Sequence, residues 1–202
     1  MKRYAMLCAV AALGACSTND ATTESAAPPA AAAVDPSSPL AAPTYMAMAA
    51  SSDQFEIQSS QLALQASTNP AVQSFAQMLI AHHQATSANL MQAAQAAGLT
   101  PPPPTLLPPQ QAMLDQLRAA GTGPSFDQAF KAAQIPAHQQ ALELHQNYAN
   151  GGDVPALRQV ASATVPIIQQ HLAAAQNLNV MTGMDGQTPP PTTAPIRSGE
   201  RG

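Results

Sequence analysis

The sequence predicts an all-α protein, a bundle of four helices, and three observations predict it. Ala (44), Gln (22) and Leu (17) dominate the 202 residues, while Val and Ile together number only 13. A sheet draws on β-branched and aromatic side chains; Ala, Leu and Gln lose little freedom in a helix. Apolar positions also recur at helical spacing through four long segments. Finally, Asn-Pro, Gly and Gly-Gly breaks fall between those segments, where a chain stops one helix and starts the next.

The chain opens with an address. Met1-Lys2-Arg3 is basic, and residues 4–13 form an apolar run too short to span a bilayer. Leu13-Gly14-Ala15-Cys16 closes it in the form of a lipobox, predicting a signal peptide over 1–15 and a lipidated Cys16. Cys8, the other cysteine, lies in the removed segment, so neither argues for a disulfide. Acyl chains would anchor the protein without spanning the membrane. Ser17 after the lipidated cysteine points to the outer membrane of a two-membrane cell, with the body facing the periplasm. Residues 16–43 read as a disordered Ala/Pro/Ser/Thr tether and 181–202 as a similar tail. The folded body is then 44–180. A net charge of −4, no basic run beyond the N-terminus and few aromatics argue against a nucleic-acid partner.

Within the body, the first helix is expected over about 44–67. Asn69 caps the second and Pro70 occupies its first position; it runs to Ala97, with Gly98 as its stop. A short helix, about 109–120, follows Pro101 to Pro104. Ser125 with Gln128 forms a capping box for the third long helix, ending near Tyr148. Asp153 is the expected cap of the fourth, which runs to about Leu178. Short links pair helices antiparallel. The longer 98–124 connection either crosses the bundle's height, as in ferritin-like folds, or lies against one end.

Reading each face at 100° per residue places one ionisable group per helix within an apolar arc: Glu56, His83, His138 and His171. His82 falls a third of a turn from the second helix's apolar stripe. Buried carboxylates and imidazoles are costly unless paired or ligated, and four helices converging is how bundles build metal sites. Counting from the links puts Glu56 and His83 at one level, and a crossover topology puts His138 there too; His171 counts about seven residues deeper than His138, near Asp127 or Gln134, roughly 10 Å of rise. Kinks at Pro136 and Pro166 would absorb part of that. Each group also has a plainer reading. A lone His on an apolar face is commonly a hydrogen-bonded core residue, Glu56 and a His could form a buried pair, His145 reads as a helix-end His near the C-terminal dipole, and Met46, Met48, Met78 and Met91 read as core filler.

Further short motifs carry a resemblance: Phe55-Glu56-Ile57, Asn69-Pro70-Ala71-Val72 with Phe75-Ala76, His83 before an Ala-rich run to Leu90, Phe126-Asp127 leading to His138, and Pro166 leading to His171-Leu172-Ala173. In order and spacing, over about 44–180, they resemble a bacterial domain-of-unknown-function family whose members are often labelled outer-membrane proteins. The resemblance implies a ferritin-like four-helix bundle in the cell envelope, with a suspected metal site. In that family an acid usually precedes the second-helix His, where this chain has His82, and a Tyr commonly follows the Phe-Asp pair, where it has Phe130.

Di-iron sites need Glu-x-x-His motifs, but Ile80, Ile135 and Ile168 stand three residues before the histidines. An oxygen-activating di-iron enzyme is thereby disfavoured, and no nucleophile triad, phosphate loop or close acid pair suggests another catalyst. Imidazoles with one carboxylate suit zinc or copper. The expectation is a lipid-anchored envelope bundle binding one transition metal ion through Glu56, His83, His138 and His171, with Asp127 as an outer or alternative ligand, for buffering or stress protection. The alternative is a metal-free envelope interaction module whose buried polar network sets helix register.

Overall fold

The computed structural model describes residues 34–180; the expected signal peptide, Cys16, much of the expected tether and the expected tail lie outside the described residues. Five helices follow in order: α1 (Ala42–Ala66), α2 (Pro70–Ala96), α3 (Pro108–Ala119), α4 (Pro124–Gly151) and α5 (Pro155–Asn177). No strand occurs among the described residues. Residues just before 44 pack against the helices: Leu40 accepts a hydrogen bond from the Asp153 amide, and Ala41 is buried.

Pro stands in the first turn of every helix, where its missing N–H costs nothing. Asn69 accepts from the Ala71 amide, as its capping position predicts. The other two expected caps are corrected. Gly123 precedes α4 with φ 70°, so Ser125 is already helical and no side chain caps that end. Val154 precedes α5, and Asp153 instead accepts from the Tyr148 hydroxyl at 2.9 Å. Gly98, at φ 71°, closes α2 in the left-handed conformation glycine tolerates. Pro136 and Pro166 both lie inside continuous helices.

Hydrogen bonds at the two ends settle the long connection. The Gly123 amide donates to Ala66 O, placing the start of α4 beside the end of α1. Leu99, just past α2, packs in the opposite end cluster with Ala42, Tyr45 and Leu157. The 97–123 segment therefore crosses the full height of the bundle, with α3 lying against α1 and α4 on the way. Helices α1 and α5 run one way, α2 and α4 the other. The contacts pair α1 with α2, α2 with α5, α5 with α4, and α4 with α1, so every neighbouring pair is antiparallel.

The core has two apolar ends. One gathers Phe75, Leu79, Phe126, Phe130 and Leu178 with Leu114 and Leu117 of α3. The other gathers Tyr45, Met46, Leu90, Leu144, Tyr148 and Leu157. Between them lies a polar layer, buried yet belonging to neither cluster: Asp53, Glu56, Ser59, Ser60, His83, Thr86, Gln134, His138, Thr164 and His171.

Candidate metal centre

All four helices of the bundle contribute to the polar layer. Because α4 continues to Gly151, His138 lies thirteen residues before its end and His171 sixteen after the start of α5. The difference of three residues replaces the expected seven, so the two rings share a level. His83, His138 and His171 each offer a ring nitrogen, and these lie within 4.8 Å of one another. Ring centroids are 5.8 Å (His83–His138), 5.1 Å (His83–His171) and 5.3 Å (His138–His171) apart, a nearly equilateral triangle. The three residues are 3%, 1% and 1% exposed.

Each imidazole is held through one nitrogen and left bare at the other. His83 Nδ1 meets Asp53 Oδ1 at 2.8 Å, and Asp53 is itself fixed by Ser87 Oγ at 2.8 Å and Thr86 Oγ1 at 3.1 Å. His138 Nδ1 donates to Gln134 O at 2.9 Å. His171 Nε2 meets His82 Nδ1 at 2.8 Å, the two rings nearly parallel. The remaining nitrogens, His83 Nε2, His138 Nε2 and His171 Nδ1, have no hydrogen-bond partner. This is the arrangement by which an outer acceptor fixes a ligand histidine's tautomer and points its other lone pair at a cation.

Glu56 is 1% exposed, and its Oε2 is likewise unpartnered. Its Oε1 lies 3.7 Å from His138 Nδ1, too long for a hydrogen bond. Burial pushes its carboxyl up to about 7, against the pull of His83 and a Gln134 hydrogen bond. Burial lowers His138 to about 4, the Gln134 carbonyl opposing it. Burial, then the charges of His83, His138 and His82, hold His171 far below the ordinary imidazole range. Near neutral pH His138 and His171 are therefore uncharged with lone pairs available. Removing such polar atoms from water without partners costs on the order of 1–3 kcal/mol each. A metal ion would satisfy several at once, so the donor set fits one. The donors brought together are the three imidazoles, and Glu56, 3.7 Å from the back nitrogen of His138, is not grouped with them; imidazole donors match copper(II) or zinc rather than magnesium or calcium.

Asp127 is buried in the first turn of α4 with Oδ1 unpartnered. It precedes His138 by eleven residues on the same helix, about 16 Å of rise, and is not among the residues brought together.

Reading faces missed three groups. Asp53, three residues before Glu56, shares its arc and was readable from that spacing. His82 is exposed, and its bond to His171 depends on how α5 sits against α2, which no single helix's period reports. His145 is no helix-end residue: α4 runs six residues beyond it, it is 6% exposed, and its Nδ1 pairs with the Tyr45 hydroxyl at 2.9 Å.

Residues 24–178 match the model of the family described as Domain of unknown function (DUF4142), and the chain belongs to that family. No curated protein matches the sequence. Among solved structures, the fold is similar to "CopM in the Cu(II)-bound form", with TM-score 0.57 and 19% identity, over 68% of this chain and 94% of that one. At that identity the likeness is one of helical fold. No helix among the described residues is long and apolar enough to cross a membrane.

Proposed function

We propose that this protein is a lipid-anchored, periplasm-facing ferritin-like bundle that binds one transition metal ion in its polar layer, for buffering or stress protection. His83 Nε2, His138 Nε2 and His171 Nδ1 are the nitrogen donors and Glu56 Oε2 the oxygen donor. Asp53, Gln134 and His82 orient the rings. Asp127 stands outside this set. The carrying observation is that three histidines from three helices each keep an unpartnered, buried nitrogen toward one small space. Copper is favoured over zinc on two grounds: copper(II) binds N/O sites more tightly than zinc, and the similar fold of CopM has been observed holding Cu(II). When bound, the ion would supply a fixed positive charge that ionises Glu56 and ties four helices together. The envelope location rests on the Leu13-Gly14-Ala15-Cys16 segment; lipid labelling of the protein in cells should vanish in Cys16→Ser.

The test is equilibrium binding by the untagged mature protein. Copper(II) and zinc are titrated while thermal unfolding is followed, since a ligand bound only by the native state raises the midpoint by mass action. A single saturable shift, lost in His83→Ala, supports the reading. No shift and no retained metal would favour a metal-free envelope module.

A further inference from the structure

We propose that His82 is the port through which the ion reaches the buried triad: a transient ligand at the surface, not a resident one. This rests on the metal-binding reading above. Of the three buried rings, His83 is backed by buried Asp53 and His138 by the carbonyl of buried Gln134. His171 alone is backed by an exposed side chain, His82. The 2.8 Å bond and the near-parallel rings, 5.1 Å apart at 15°, make a continuous imidazole path from solvent to the triad.

A second observation concerns the space beside that path. An open groove of about 480 Å³ runs between α2 and α5, and no charged side chain lines it. Its lining includes Thr86, one turn after His82, and Ile167, one turn before His171. The groove thus brings solvent to within a helical turn of the His82–His171 pair.

The step is a ligand exchange with no net proton or electron change. For His171 to keep its Nδ1 lone pair for the ion, its Nε2 must carry the hydrogen and donate to the Nδ1 lone pair of His82. An arriving copper(II) ion takes that lone pair in place of the hydrogen. The freed His171 ring turns aside, the ion moves inward to the bare nitrogens, and the His171 N–H returns to His82. A surface imidazole also prefers copper(II) or zinc over hard ions, so the port would select the same class the triad holds.

Two properties are read on the full mature chain mixed with copper(II): the rate at which the buried site fills, by stopped-flow absorbance, and the electron paramagnetic resonance spectrum of the filled site. His82→Ala should slow filling by about tenfold or more while the filled site still holds one ion through three imidazole nitrogens, its spectrum shifted only as far as the loss of the His171 hydrogen bond requires. Ala163→Trp, which plugs the groove without touching a histidine, should slow it too. Filling of both variants at the wild-type rate would overturn the proposal. So would a His82→Ala spectrum that has lost a nitrogen ligand, because His82 would then be resident. Wild-type protein that takes up no copper would instead refute the metal site itself.

Discussion

Two histidines on α4, His138 and His145, stand two turns apart, about 10 Å along the axis. Both are almost fully buried, and burial lowers both to about 4. By depth and by acidity they are twins, but their partners differ. His145 Nδ1 is closed by the Tyr45 hydroxyl, with Tyr45 stacked on Tyr148 at 3.7 Å and Tyr148 hydrogen-bonded to Asp153. His138 keeps a bare Nε2 among other bare donors. A perturbed acidity therefore marks burial, not function. What sets His138 apart is a buried, unpartnered nitrogen in a group of three histidines whose ring nitrogens lie within 4.8 Å of one another.

The largest expected difference between these regions is their response to metal. At copper(II) one hundredfold above its dissociation constant, the wild type should gain about 2.7 kcal/mol, a midpoint rise of roughly 8 °C. His138→Ala should lose that rise, whereas His145→Ala should keep it. A rise surviving in His138→Ala would erase the distinction.

The apo protein sharpens it from the other side. His145→Ala leaves the buried Tyr45 hydroxyl unpaired beside a cavity, so it should cost about 2–3 kcal/mol whether or not metal is present. His138→Leu removes an unsatisfied nitrogen, and without metal it should cost less than about 1 kcal/mol. Denaturant unfolding of the two variants decides the order. Tyr45→Phe, which removes only the hydroxyl, should fall between them at about 1–2 kcal/mol.

The pH dependence follows from the same groups, with opposite signs. His138 and His145 have folded values below the unfolded 6.5, so between about 6.5 and 4 the unfolded chain binds more protons, and stability falls as pH falls. Glu56 has a folded value near 7, above its unfolded 4.5. Its contribution is full below 4.5 and is lost as pH rises through 7. In metal-free protein, the stability of Glu56→Gln relative to wild type should thus improve by about 3 kcal/mol between pH 4 and pH 8. A difference independent of pH would mean Glu56 is not held protonated. Copper at saturation should remove the alkaline loss in the wild type, because the ion then stabilises the carboxylate.

Much of the fold was readable because its signals are local. Asn69-Pro70, Gly98 and Gly151-Gly152 punctuate the chain where the helices break, and the apolar stripes of α2 and α5 carry His83 and His171 where the structure buries them. The end of α4 was not readable. Asn150 and Gly151 are poor helix formers, yet the helix runs past Tyr148, which stacks on Tyr45, to Gly151, and Gly152 is pressed so close that a Cβ there would lie 2.5 Å from the Tyr148 ring. Three extra residues of helix are what bring His171 level with His138. The outer partners were hidden for a related reason. His82 reaches His171, and His145 reaches Tyr45, across helix pairs whose rotation about their axes is set by packing and not by either helix's own period.

The most direct test of the central claim is a count of nitrogens on bound copper(II). Mature protein loaded with one equivalent should show one ion per chain with three imidazole nitrogens by pulsed electron paramagnetic resonance. That site should no longer fill in His83→Ala or His171→Ala, and the count should stay at three in His145→Ala. Copper bound through fewer than three imidazoles in the wild type, or through the same number in every variant, would contradict the buried triad as its site.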